Sequence, residues 1–122
     1  MAMKKVLVVD DSPEVAEALS RTLRLSGYDV DTYIDSEKAL KGLLAKDYDC
    51  VVSDGEMPVL SGPALMQAAI KAKPKMAKRF VFNTGSPIAV MSALQDIGEA
   101  KVLFKPAHKS DLLDAVERAI KS

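Results

Sequence analysis

The chain has 122 residues, of which 48% are hydrophobic, enough for one domain with one buried core. Lys and Arg number 17, as do Asp and Glu, so no net charge draws the chain towards nucleic acid or an anionic membrane. A single cysteine, Cys50, excludes an internal disulfide, and no apolar run is long enough for a membrane span or a signal-peptide core, so a cytoplasmic protein is expected.

The predicted elements alternate. Val6 to Val9 is a continuous apolar run, the pattern of a strand buried on both faces. Ser12-Pro13 opens a helix with a cap residue followed by proline, and Gly27 closes it. Tyr28 to Ile34 reads as a more exposed strand, and Ser36 to Lys46 as a helix with Ala39, Leu40, Leu43 and Leu44 on one face. Cys50-Val51-Val52 is a third strand. A helix follows from about Pro63 to near Pro74, then a fourth strand at Phe80-Val81-Phe82. Ile88, Met91, Leu94 and Ile97 outline a fourth helix stopped by Gly98. Val102-Leu103-Phe104 is a fifth strand, and Leu112 to Ile120 gives the clearest amphipathic helix. Five strands alternating with five helices predict an α/β fold, a parallel sheet with helices on both faces, as one domain over 1–122.

In such a sheet, ligands bind beyond the carboxyl ends of the strands. Asp10 and Asp11 follow the first strand, Asp54 the third, Thr84 the fourth and Lys105 the fifth. Each alone is ordinary turn chemistry. Jointly they line one edge. Three carboxylates there repel one another unless a cation intervenes, and Mg²⁺ suits few carboxylates and several replaceable waters. With a lysine and a hydroxyl beside them, these are parts for phosphoryl transfer to a carboxylate.

Four stretches carry a family resemblance. They are Val6-Leu7-Val8-Val9-Asp10-Asp11-Ser12, Ser53-Asp54-Gly55-Glu56-Met57-Pro58 with Gly62, Asn83-Thr84-Gly85, and Phe104-Lys105-Pro106. In this order and spacing the chain resembles the receiver domain of two-component response regulators along essentially its whole length. The resemblance implies a flavodoxin-like (βα)5 doubly wound sheet with strand order 2-1-3-4-5. It implies that Asp54 accepts a phosphoryl group from the phosphohistidine of a histidine kinase or phosphotransfer protein. Asp10, Asp11, Asp54 and the backbone carbonyl of Glu56 then resemble the Mg²⁺ ligands. Thr84 and Lys105 resemble the hydroxyl and the ammonium that contact the phosphoryl oxygens. Pro106 stands where the family commonly has a cis peptide bond. The implied output is altered binding of a downstream protein through the face of the fourth helix, fifth strand and fifth helix, in a monomer or weak dimer. Enzymatic chemistry is expected only on the chain itself.

The chain departs from the family pattern in places. Val102 stands where the family often has Tyr or Phe, which leaves the threonine–aromatic coupling without its usual aromatic ring; Phe104, two residues on and on the same strand face, is a candidate for a related role. Residue 85 is Gly rather than Ala, and Glu56 and Ser86 stand where the family tunes loss of the acyl phosphate. His108 reads as a solvated or capping residue, Cys50 as a small core residue, and Gly55 as loop geometry. The basic run Lys71, Lys73, Lys75, Lys78 and Arg79 lacks interleaved aromatics and reads as a solvated helix end and loop rather than a nucleic-acid site. Three accounts remain: a free-standing receiver, a receiver cut from a longer regulator or hybrid kinase, and a small aspartyl-phosphate hydrolase. The strand-one motif Asp10-Asp11-Ser12 lacks the DxD spacing of the hydrolase.

Overall fold

The computed structural model describes residues 3–121. Met1, Ala2 and Ser122, the ends of the expected 1–122 domain and of the reading of its N-terminus, lie outside the described residues. The elements are β1 (Lys5–Val9), α1 (Pro13–Leu25), β2 (Asp29–Tyr33), α2 (Ser36–Ala45), β3 (Cys50–Asp54), α3 (Gly62–Ala72), β4 (Phe80–Thr84), α4 (Pro87–Leu94), β5 (Lys101–Phe104) and α5 (Lys109–Lys121). The strands form one parallel sheet in the order β2-β1-β3-β4-β5. The expected flavodoxin-like order is the observed one.

Local chemistry explains where the elements start. Ser12, Asp35 and Ser61 each cap a helix by accepting a backbone N–H three residues on, from Val15, Lys38 and Ala64. Pro13 and Pro63 then sit in first turns, where their missing N–H costs nothing. β1, β3 and β4 are buried because helices cover both faces of the sheet. Strand alternation sends Leu7, Val9, Val51, Phe80 and Phe82 to a core shared with α2, α3 and α4. It sends Val6, Val8, Cys50, Val52 and Val81 to a second core under α1 and α5. β2 is an edge strand and only Val30 of it is buried, as its weaker alternation predicts.

Two elements differ from expectation. α4 ends at Leu94, not at Ile97; the backbone turns there, and the N–H groups of Ile97 and Gly98 both bond the Leu94 carbonyl. Ile97 keeps the helical spacing because it packs back on the core after the turn. The basic run is also more than a solvated loop. Pro74–Lys78 forms a short 3₁₀ helix, Lys73 Nζ bonds the Lys46 carbonyl and Asp47, and Arg79 bonds the Tyr48 carbonyl. Cys50 is fully buried and burial pushes its thiol far up, consistent with a packing role. His108 is exposed, and its carbonyl accepts the Leu112 N–H at the opening of α5.

The β3–α3 connection carries local strain. Val59 has φ 72°, and Leu60 N–H donates to the Pro58 carbonyl at 2.9 Å, closing a tight turn around it. A β-branched residue at positive φ costs about 1–3 kcal/mol. Glycine would remove that strain at a backbone-entropy cost of roughly 0.5–1 kcal/mol. Val59 is exposed, so little packing is lost. Val59→Gly is therefore expected to stabilise the fold by about 1 kcal/mol, read as a higher urea midpoint with unchanged slope.

Candidate phosphoacceptor site

Strand order reverses at β1, between β2 and β3, which opens a crevice beyond the carboxyl ends of β1 and β3. Asp10 directly follows β1, and Asp54 is the last residue of β3. Asp10 is wholly buried, Asp54 is 6% exposed, and Asp11 faces solvent. One carboxylate oxygen from each lies within 4.8 Å of the others. By alternation with Val52 and Val81, Asp54 shares the α1/α5 side of the sheet with Asn83, its register partner on β4.

Lys105 closes the cluster from β5. Its Nζ lies 3.0 Å from Asp10 Oδ2 and 3.2 Å from Asp54 Oδ1. To get there, the side chain passes over β4, the strand between β5 and β3. The Lys105–Pro106 peptide bond is cis, as the resemblance implies. Asp54 Oδ1 also accepts the Glu56 N–H at 3.3 Å, which brings the Glu56 backbone beside the carboxylates while its side chain faces solvent. Asp10 Oδ1 accepts the Ser12 N–H at 2.9 Å.

The electrostatics are strained by burial. Desolvation and the neighbouring Asp10 push the Asp54 carboxyl above its ordinary range, against the pull of Lys105 and the Glu56 N–H. Burial opposes charge on Lys105, but Asp10 and Asp54 outweigh it and hold the ammonium above its ordinary value. Asp10 Oδ2 is sealed from solvent and has no aligned hydrogen-bond donor; its charge partner is the nearby Lys105 ammonium. Three clustered carboxylates, one with an oxygen lacking a donor, are a donor set that suits a hard divalent cation.

Thr84 is the sequence-predicted residue that stands apart. It is the last residue of β4 and is buried, but alternation with Phe82 places it on the α4 side of the sheet. Its hydroxyl accepts the Ser86 N–H at 3.0 Å and bonds no carboxylate. Val102 packs against the core that holds Val90 and Leu94. Phe104, the register partner of Thr84, is 65% exposed.

Three features escaped the sequence. Gly55 is a close-approach position, because a Cβ there would lie 2.7 Å from Thr84 Oγ1; its place directly after Asp54 was the available signal. Ser36 bonds the Pro58 carbonyl and the Leu60 N–H, fastening the β3–α3 connection to α2, and no local pattern announces that pairing. Asn83 has a buried amide oxygen with no donor, visible in the sequence as a polar residue within an apolar strand.

The comparisons with known proteins agree with this geometry. The response regulator receiver domain family matches residues 6–117. The chain is 33% identical over 117 residues to the transcriptional regulatory protein PrrA of Mycobacterium leprae, covering 96% of this chain and 50% of that protein. It thus spans about half the length of that relative. It is 27% identical to the response regulator receiver protein CpdR of Brucella abortus, covering 97% of this chain and 98% of that protein. The structure of the Vibrio cholerae chemotaxis protein CheY4 superposes with a TM-score of 0.84 at 31% identity, covering 97% of this chain and 99% of that one. The order of strands, the acids gathered at the switch point and the family match over nearly the whole chain lead to one conclusion: this chain belongs to the response regulator receiver domain family.

Proposed function

We propose that Asp54 is the phosphoacceptor of this receiver, and that its phosphorylation switches the binding of a downstream protein. The observation that carries the reading is the cluster itself: a buried carboxylate flanked by two acids and held 3.2 Å from a lysine ammonium. The donor is the phosphohistidine of a histidine kinase or phosphotransfer protein. An Asp54 carboxylate oxygen attacks phosphorus in line, a P–O bond forms, and the P–N bond breaks with its electron pair leaving on imidazole. Lys105 neutralises the phosphoryl oxygens, and its contact with Asp10 holds it at that position. Thr84 would have to leave Ser86 to donate its hydroxyl proton to a phosphoryl oxygen.

Asp10, Asp11, Asp54 and the Glu56 carbonyl would hold Mg²⁺, which supplies charge neutralisation for the transferring group. The described residues form one sheet with a core on each face, which supports a single receiver domain. The downstream partner would meet α4, β5 and α5. Ile88, Met91 and Phe104 are exposed apolar side chains there, and a groove of about 720 Å³ on the same face is lined by Met91, Leu94 and Val102. That groove lies towards the opposite edge of the sheet from the carboxylates, since Phe80 and Lys101 in its wall begin their strands. No helix of the described residues is long and apolar enough to cross a membrane. A cytoplasmic receiver, monomeric or weakly dimeric and without direct nucleic-acid contact, completes the reading. Its place within a longer regulator of the kind it half-spans belongs to the same proposal.

Two predictions test the site. Intact-mass spectrometry after incubation with acetyl phosphate should show one added phosphoryl group that requires both Mg²⁺ and Asp54; Asp54→Asn should show none. Lys105→Ala should slow the addition by roughly 100-fold, the usual loss when one preorganised charge partner is removed. Addition to Asp54→Asn at the wild-type rate would remove Asp54 from the role.

The second concerns stability against pH. The folded Asp54 carboxyl titrates above its ordinary range, so the fold favours its neutral form. That contribution is present below the ordinary carboxylate value near pH ~4 and is lost as pH rises through the raised folded value. Asp54→Asn keeps the neutral form at every pH. Without Mg²⁺ the variant should melt higher than wild type at neutral pH, and the two should converge on acidification. Mg²⁺ should raise the wild-type melting temperature more than that of the variant.

A further inference from the structure

β3 leaves Asp54 through Gly55, and no side chain fits at that position. A Cβ there would lie 2.5 Å from Val90 Cγ2, 2.7 Å from Thr84 Oγ1 and 3.0 Å from Thr84 Cβ. The backbone does not demand glycine, since Gly55 is not among the positive-φ residues. Space demands it, and two side chains occupy that space. One is Thr84, whose hydroxyl rests over Gly55 while accepting the Ser86 N–H. The other is Val90, a fully packed residue on the inner face of α4.

We propose that Gly55 is the resting seat of the Thr84 hydroxyl and that Val90 transmits to α4 whether the seat is filled. The inference rests on Asp54 being the phosphoacceptor. When Thr84 turns to the phosphoryl group, its Oγ1 leaves the space over Gly55, and Ser86 N–H loses its acceptor. Interiors pack at crystal-like density, so a vacated space is filled by its neighbour. The neighbour is Val90 Cγ2, and its shift carries α4 with it. Gly55 and Val90 are thus positioning residues: neither touches the phosphoryl group, and both act through Thr84. The route needs no aromatic ring on β5. It therefore gives this chain, with Val102 packed against the core and Phe104 largely in solvent, a path from the site to α4.

The test uses ¹H–¹⁵N spectra of the full chain with Mg²⁺, with beryllofluoride as the phosphoryl probe. In wild type, beryllofluoride should shift amides both at the site and along α4. Val90→Ala should bind the probe with wild-type affinity while the α4 shifts fall to about half or less. Gly55→Ala should evict the Thr84 hydroxyl and fill its seat, moving the probe-free Thr84 and Ser86 amides part-way to their bound positions, keeping Val90 and the α4 amides from following, and tightening probe binding about threefold or more. A merely structural role for Gly55 would lower the melting temperature and leave affinity and resting spectrum in place. Full α4 shifts in Val90→Ala overturn the inference, and decide it alone if Gly55→Ala does not fold. Wild type failing to bind beryllofluoride would instead remove the phosphoacceptor reading, and this inference with it.

Discussion

Two buried carboxylates, Asp10 and Asp54, stand side by side at the sheet edge where the strand order reverses, and a lysine from the far edge is drawn over to them. Coulomb repulsion inside a low-dielectric edge cannot be left unbalanced. The rest of the molecule can be understood as the scaffold that holds this balance. β1 and β3 must be neighbours, or Asp10 and Asp54 would not meet. β5 must end where Lys105 can reach across β4. Both cores must be well filled, because the sheet edge they support is unfavourable by itself. The hydrophobic strands and the charged crevice are therefore one arrangement, in which burial offsets what the site costs.

Much of this was legible in the sequence. Val6 to Val9 and Cys50 to Val52 announce strands buried on both faces, and Asp10 and Asp54 follow them directly, so the gathering of acids at one edge follows from alternation and the parallel sheet. The Ser12-Pro13 start of α1 was written in local capping chemistry. What could not be read depends on contacts distant in sequence. Periodicity extended α4 to Ile97, because a residue that packs back after a turn has the same spacing as one that continues a helix. Lys73 and Arg79 looked solvated, because nothing local shows that the Lys46 and Tyr48 carbonyls lie within reach. Thr84 ends β4 as its place in the sequence implies, but that its resting hydroxyl lies on the α4 side and accepts the Ser86 N–H depends on strand parity and the following loop. Gly55 offered composition without geometry; only the positions of Thr84 and Val90 give its missing side chain a reason.

Asn83 marks a different tension. It is the register partner of Asp54 and buries an amide oxygen without a donor. An apolar residue would pack there at lower cost in desolvation. The polar choice leaves an amide rather than hydrocarbon in register with Asp54 on the neighbouring strand.

The bond between Ser36 and the β3–α3 connection gives the site a fixed wall and a free one. Ser36 is buried, donates to the Pro58 carbonyl and accepts the Leu60 N–H, and the Gly62 N–H fastens the same connection to the Gly55 carbonyl. Four backbone groups near Asp54 are thus anchored to α2, α3 or each other. On the β4 side, Thr84 and Ser86 share one hydrogen bond and Gly85 has open space where a side chain would be. Any change of charge at Asp54 meets high stiffness in one direction and low stiffness in the other. Displacement follows the compliant direction, so the vectorial character of the response is already present in the resting fold.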